Sequence, residues 1–289
     1  MQVLRMEYPA SPGVFLEAYV LDCELALGQE TERPAVVVCP GGGYLYLSPR
    51  EAEPVALAYA ARGLHAFVMH YSVGRQAAGF KPLEELSWAI GTIRRHAGEW
   101  HVAPDKIAAC GFSAGGHLAL AAGLLAENKP NALILGYPAV AFARGPQMDF
   151  LFKLLLGKQA VTDEEAARFD LPAQVGAGAP PLFLFGTAED KAVGDGLLRL
   201  AGAYAGQGLP FEMHLFQFGP HGLSLATAET ADGSAGVLDE RAAAWQPLSV
   251  SWLRKIFGEP VFTDKSTSRI GQYLAQFLDG GAPEGTEFA

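Results

Sequence analysis

KIAACGFSAGGHLAL, residues Lys106 to Leu120, is the stretch on which the reading of this chain turns. An apolar β-type run, Ile107 to Cys110, meets Gly111-Phe112-Ser113-Ala114-Gly115 and passes at once into a helical stretch of small residues. Strand, sharp turn and helix are the setting that a G-x-S-x-G nucleophile elbow requires. A serine held in a strained turn needs neighbours without bulk, and Gly111, Ala114 and Gly115 let strand and helix pack closely beneath it. The Ser113 hydroxyl then stands at the carboxyl end of a sheet, over a helix N-terminus whose free N–H groups favour negative charge. An ordinary strand-to-helix loop that happens to carry a serine is the plainer alternative. The context favours the nucleophile.

On either side of the elbow, strand and helix signals alternate. Val3 to Tyr8 and Val14 to Leu21 read as two opening strands around Pro9-Ala10-Ser11-Pro12-Gly13. Ala35 to Cys39 is a continuous apolar run, the mark of a strand buried on both faces. Ser48-Pro49-Arg50-Glu51 reads as a capping box opening a helix that runs to Arg62 and stops at Gly63. His65 to Ser72 is the next strand, and Leu83, Leu86, Ile90, Ile93 and Ala97 recur at helical spacing. Beyond the elbow come strand Ala132 to Tyr137, strand Leu182 to Phe185, a helix around Gly196 to Gly206, strand Phe211 to Phe218 and a helix at Trp245 to Phe257. These eight strands with crossover helices, the first two able to pair antiparallel, imply a mostly parallel sheet covered on both faces. A nucleophile elbow on such a sheet specifies the α/β-hydrolase fold.

Between Pro138 and Pro180 the alternation breaks down over about forty residues containing FLFKLLL (Phe150 to Leu156) and a second capping box, Thr162 to Glu165. A segment this long between strands reads as a small cap, about residues 139–180, rather than a bare loop. Residues 1–258 are thus expected to form one hydrolase domain. Residues 259–289 form an extension in which Ile270, Tyr273, Leu274, Phe277 and Leu278 fall at amphipathic helical spacing. So short a helix must dock to be stable, and a homodimer contact is the expected place.

Composition excludes several classes. A formal net charge of −10 argues against nucleic acid or an anionic membrane surface as partner, and no apolar run is long enough to span a bilayer. MQVLRMEYPASPG shows no basic segment followed by a long apolar one, so no signal peptide is evident. Three cysteines, two of them in or at the end of strand-like runs, give neither a disulfide framework nor metal-ligand spacing. A reducing cytoplasm, no metal and no cofactor are expected.

The elbow needs a base, an acid and amide donors. Triad members in this fold run in the order Ser, Asp/Glu, His, which disfavours His65, His70, His96 and His101. Among the later histidines, His221 lies in Gly219-Pro220-His221-Gly222, a loop that can aim an imidazole back over the elbow. His214, mid-strand, and His117, on the elbow helix, are the alternatives. For the acid, Gly186-Thr187-Ala188-Glu189-Asp190 follows a strand end, and Asp190 is best placed, with Asp195 and Glu189 behind it. Pro40-Gly41-Gly42-Gly43-Tyr44 follows a core strand, and glycines there leave backbone N–H groups free to approach an oxyanion. Without G-K-[ST] or a G-x-G-x-x-G opening a helix, a phosphate cradle is the weaker reading.

CPGGGYLYLSPRE (Cys39 to Glu51), DKIAACGFSAGGHLA (Asp105 to Ala119), GTAED (Gly186 to Asp190) and GPHGLSLA (Gly219 to Ala226) together resemble the α/β-hydrolase carboxylesterases of the acetyl-esterase type. The likeness is to bacterial acetyl-xylan and feruloyl esterases and, more distantly, hormone-sensitive-lipase-like esterases, and it spans about residues 14 to 257. It implies Ser113 as nucleophile, His221 as base and Asp190 as acid, with Gly42, Gly43 and Ala114 as oxyanion donors. Pro40 stands where related esterases often carry a histidine that braces the loop. The implied substrate is a small-molecule ester with a short acyl group, most naturally acetyl on a sugar or small oligosaccharide. Tyr44, Phe150 and Phe152 are expected to wall the pocket. An amide or peptide hydrolase, and a non-catalytic binding module, are the rival readings on the same fold.

Overall fold

The computed structural model describes residues 1–23, 32–140, 145–193 and 195–259. The helix expected at Ile270 to Leu278, and the dimer contact assigned to it, lie outside these residues. The strands are β1 (Gln2–Glu7), β2 (Phe15–Val20), β3 (Arg33–Cys39), β4 (His65–His70), β5 (Val102–Phe112), β6 (Ala132–Gly136), β7 (Leu182–Thr187) and β8 (Phe211–Phe216). They form one eight-stranded sheet in the order β1-β2-β4-β3-β5-β6-β7-β8. β2 pairs antiparallel with β1 and with β4, and every other neighbouring pair is parallel. This is the α/β-hydrolase arrangement that the alternation of signals implied.

The interior strands β3, β6 and β7 are apolar and buried along nearly their whole length, whereas the edge strands β1 and β8 are half exposed. Helices cover both faces: α1 (Glu53–Ala60), α2 (Lys81–Arg95), α3 (Ala97–Trp100), α4 (Ala114–Leu125), α5 (Pro146–Leu156), α6 (Asp163–Ala167), α7 (Gly196–Gly206), α8 (Glu240–Ala243) and α9 (Trp245–Phe257). Strand side chains alternate between two cores. Ala35, Val37 and Cys39 join Ile90 and Leu118 from α2 and α4, whereas Val36 and Val38 join Val55, Tyr59 and Trp245 from α1 and α9. Among the described residues no helix is long and apolar enough to cross a membrane.

One expected element differs. Pro49–Glu51 is a 3₁₀ turn, and the α-helix begins only at Glu53. Neither half of the box forms: the Ser48 side chain makes no cap, and its amide donates to the Gly41 carbonyl at 3.0 Å while the Glu51 carboxylate goes to Gly41 and Tyr137. Pro54, in the first helical turn, reinforces the break because it has no N–H to continue the helical bonding back to the Arg50 carbonyl. The second box is as expected: Thr162 and Glu165 cap α6 reciprocally.

Trp245 closes the core behind the site. Its ring stacks on Phe185 at 4.3 Å and 8°, and its indole N–H donates to the Ser224 carbonyl at 2.9 Å. Trp245→Ala leaves a cavity and an unpaired carbonyl, and should lower the unfolding free energy by about 3–5 kcal/mol in a urea titration.

Candidate active site

The ends of β3, β5, β6, β7 and β8 lie side by side, and the loops leaving them carry the residues singled out above. β5 ends at Phe112, and Ser113 follows at φ 51° and ψ −117°, a conformation that non-glycine residues rarely adopt. It is held because small residues allow close contact around it. A Cβ on Gly115 would stand 2.1 Å from the Cys39 carbonyl oxygen, and one on Gly111 would stand 2.2 Å from that of Gly115. No side chain fits at either position.

Ser113 Oγ lies 2.8 Å from His221 Nε2, and His221 Nδ1 lies 2.7 Å from Asp190 Oδ2. The Asp190 carboxylate is an acceptor only, so Nδ1 carries the proton and donates it, which leaves Nε2 free to accept from the Ser113 hydroxyl. Asp190 is almost wholly buried, and its other oxygen accepts the Ala192 amide at 2.9 Å. The remaining candidates are engaged elsewhere. Glu189 accepts from the Gly219 amide at 3.2 Å, and so braces the turn that carries His221. Asp195 precedes α7 without a side-chain cap, and His214 lies beside Glu212 on the edge strand.

Gly41 approaches the serine so closely that a Cβ on it would stand 3.1 Å from Ser113 Cβ. Its amide donates to Glu51 Oε2 at 2.8 Å and is therefore spoken for. Gly42 has φ 121°, and a Cβ there would meet the Tyr46 carbonyl oxygen at 2.1 Å. Among the described residues no partner accepts from the Gly42, Gly43 or Ala114 amides. Unpaired amides beside a serine can receive a developing oxyanion. Among the described residues no group of His, Cys, Asp and Glu is placed to hold a metal ion.

The three expected pocket residues separate. Phe150 is 58% exposed and lines an apolar groove of about 480 Å³ with Gly43, Leu45, Met148 and Leu151. Phe152, two residues on and on the other side of α5, is 1% exposed and stacks on Phe169 at 5.2 Å. The Tyr44 ring is likewise 1% exposed and packs against Tyr71, Phe80 and His117. Phe152 and Tyr44 are thus packing residues that seat the insertion and the glycine loop on the body, not exposed wall. Helical periodicity explains this, since two residues apart on a helix point to opposite sides.

Glu51 was not among the expected site residues. Its pattern, Ser followed three residues later by Glu, is that of a cap, and no local signal distinguishes it from one. His117 lies at the centre of the packed seam: the Tyr44 hydroxyl donates to Nδ1 at 2.9 Å, and Nε2–H donates to the Phe169 carbonyl at 3.3 Å. Burial pushes its pKa down to about 4, so it is neutral at physiological pH. His65 behaves alike, accepting from the Leu21 amide and donating to the His101 carbonyl, with burial lowering it to about 4. In both, the folded pKa lies below the unfolded value of about 6.5, so the stability they contribute is complete above pH 6.5 and is lost as pH falls to about 4. Unfolding free energy should decline across that window by on the order of 3 kcal/mol per histidine. In His117→Gln the slope should be roughly halved; an unchanged slope in equilibrium unfolding from pH 7 to 4 would show the loss arises elsewhere.

The BD-FAE family profile matches residues 21–195, which takes in the glycine loop, Ser113 and Asp190 and stops short of His221. An endo-1,4-β-xylanase B from Butyrivibrio fibrisolvens is 32% identical over 227 residues, 72% of this chain. An acetylxylan esterase from Xylanibacter ruminicola is 29% identical over 132 residues, 45% of this chain. The matched stretches make up 35% and 27% of those two proteins, so the chain spans about a third of their length. Among solved structures, MGS-M1, an α/β-hydrolase from a Medee basin deep-sea metagenome library, is 34% identical with a TM-score of 0.74, covering 89% of this chain and 98% of its own. The carboxylesterase Cest-2923 from Lactobacillus plantarum WCFS1 is 29% identical with a TM-score of 0.78, covering 88% and 98%. An acetyl ester-xyloside bifunctional hydrolase from Caldicellulosiruptor lactoaceticus is 30% identical with a TM-score of 0.72, covering 87% and 91%. The profile match extends over more than half of the sequence, and the chain belongs to the BD-FAE family with the α/β-hydrolase fold.

Proposed function

We propose that this protein is a serine carboxylesterase acting on short acyl esters, chiefly acetyl groups on sugars or small oligosaccharides. The observation that carries the reading is the continuous relay from Ser113 to His221 to Asp190, at 2.8 and 2.7 Å, on a strained turn beside unpaired amides. Support for the acetylated-sugar substrate comes from relatives whose names include an acetylxylan esterase and an acetyl ester-xyloside hydrolase.

Ser113 Oγ attacks the acyl carbonyl carbon while His221 Nε2 takes the hydroxyl proton, and the C=O electron pair moves onto oxygen. The Gly42, Gly43 and Ala114 amides receive that oxyanion, at a point where no water need reorganise to do so. Asp190 stabilises the imidazolium and fixes its tautomer without taking the proton. His221 then protonates the leaving alkoxide as the tetrahedral intermediate collapses to acyl-Ser113. Water, deprotonated by the same Nε2, attacks in turn and releases the acid, restoring the serine.

Ser113→Ala removes only a hydroxyl, so it should fold normally and lose on the order of a millionfold in turnover on p-nitrophenyl acetate. Asp190→Asn should cost about 10⁴-fold by favouring the wrong tautomer. Turnover close to wild type in either variant would overturn the relay. A chain-length series of p-nitrophenyl esters, run beside acetylated xylo-oligosaccharides, tests the substrate: deacetylation no better than hydrolysis of long acyl esters would exclude the acetyl-sugar reading.

The two α5 phenylalanines should respond differently in that series. Phe150→Ala opens the groove beside Gly43 and should broaden tolerance of larger esters while leaving stability nearly unchanged. Phe152→Ala should instead destabilise the fold by about 3–5 kcal/mol, from the cavity under the insertion.

A further inference from the structure

Glu51 is 4% exposed, yet among the described residues its carboxylate meets an amide and a phenol rather than a cation. Oε2 accepts the Gly41 N–H at 2.8 Å, and Oε1 accepts the Tyr137 hydroxyl at 2.6 Å. That phenol oxygen accepts in turn from the Ser224 amide at 2.8 Å. Gly41 begins the loop of unpaired amides, and Ser224 lies three residues beyond His221. One carboxylate thus joins the two loops that flank Ser113.

Further contacts repeat the same connection. Arg50, the residue before Glu51, donates from Nη2 to the Gly222 carbonyl at 3.0 Å, and its own carbonyl accepts the Ser224 hydroxyl at 2.6 Å. The Tyr137 ring meets the His221 imidazole edge-to-face, with centroids 5.2 Å apart. Tyr137 sits at the end of β6, next to β5, and Ser113 N–H donates to the Gly136 carbonyl at 3.1 Å. Burial and the neighbouring Glu51 charge push the Tyr137 phenol well above its ordinary pKa, so it stays protonated and donates.

An ionised carboxylate without a cation is costly to bury, and a neutral amide of the same shape costs less. The carboxylate offers something the amide does not, two acceptor oxygens at once. Glutamine has one acceptor oxygen: turned to the Gly41 N–H, it presents its NH₂ to Tyr137, whose hydroxyl must then give up its role as donor here, and turned the other way it sets NH₂ against the Gly41 N–H, donor against donor. We propose that Glu51 is a positioning residue, whose carboxylate, through Gly41 on one side and Tyr137 and Ser224 on the other, sets the oxyanion loop and the histidine loop at a fixed spacing around Ser113. It touches no reacting atom. Its effect is confined to the geometry in which the transition state is received, and the inference rests on the esterase mechanism proposed above.

The test compares Glu51→Gln, Glu51→Asp and Tyr137→Phe with wild type on p-nitrophenyl acetate. Glu51→Gln and Tyr137→Phe should each lower kcat and kcat/KM together by about 10- to 100-fold, with KM within about threefold. Inhibition by a trifluoromethyl ketone, which Ser113 converts to a tetrahedral oxyanion adduct, should weaken by the same factor as kcat/KM. Glu51→Asp keeps the charge but is one methylene shorter, and should fall between wild type and Glu51→Gln. The double variant should lose less than the product of the two single losses, because both cut one network. A purely structural role would lower the melting temperature without moving the ratio of inhibitor affinity to KM. Wild-type kcat in Glu51→Gln, or equal losses in substrate and inhibitor binding, would overturn the inference while leaving the Ser113 mechanism standing. Activity persisting in Ser113→Ala would overturn the mechanism itself. Tyr137→Phe keeps the ring and its volume, so it carries the test should Glu51→Gln fail to fold.

Discussion

Everything at the site depends on one strained residue being held against its preference. Ser113 at positive φ costs on the order of 1–3 kcal/mol relative to relaxed backbone. The turn is fixed on every side by bonds its backbone makes. Ser113 N–H donates to Gly136 on β6, and its carbonyl accepts from His117 on α4 and from Ala139 at the root of the insertion. Strand, helix and insertion are therefore all tied to one peptide. The glycines make this possible sterically: α4 begins so close to the end of β3 that Gly115 lies on the Cys39 and Pro40 carbonyls. Bringing that helix close also brings the Ala114 amide and the glycine loop to the same side of the sheet.

Much of this was legible in the sequence because it is encoded locally. The elbow needs small residues at fixed offsets from Ser113, and buried parallel strands need continuous apolar runs; both leave a mark on neighbouring residues. The capping box at Ser48 shows where such reasoning stops. Its pattern is real, but Glu51 gains more from two long-range donors than from one short-range amide, and long-range partners have no signature in a tetrapeptide. The choice among Glu189, Asp190 and Asp195 has the same character. All three follow a strand end, and only the fold shows that Glu189 holds Gly219 while Asp190 reaches His221. The exchange of β3 and β4, which pairs β2 with β4 and β3 with β5 although neither pair is consecutive in sequence, was likewise set by packing rather than by any local run.

Pro40, which precedes the glycine loop, illustrates how such a loop can be held without a polar side chain. Pro40 cannot offer a polar side chain, but its carbonyl accepts from the Tyr71 hydroxyl, and the next residue, Gly41, is held by Glu51. The loop is pinned at two successive residues by groups from two different elements. Both contacts are made through the backbone, by the Pro40 carbonyl and the Gly41 amide, so they need no polar side chain at residue 40.

The same separation explains how chemistry and selectivity can differ in rigidity within one site. The relay stands on strand ends, tied by buried hydrogen bonds to the sheet. The groove beside Gly43 is walled by one face of α5, and the opposite face of that helix is fastened through Phe152 and Phe169 to His117 and Phe80. Burial keeps His117 uncharged through the neutral range, so this fastening carries no charge and is insensitive to small pH changes above the acid window. A side chain such as Phe150 can therefore change without disturbing the seam, because a helix presents its wall and its anchor on different sides. Changing the anchor instead removes packing from the seam that also holds Tyr44, the residue that follows the glycine loop. Variation in what this site accepts is thus expected on the outer face of α5, and intolerance to change on the inner one.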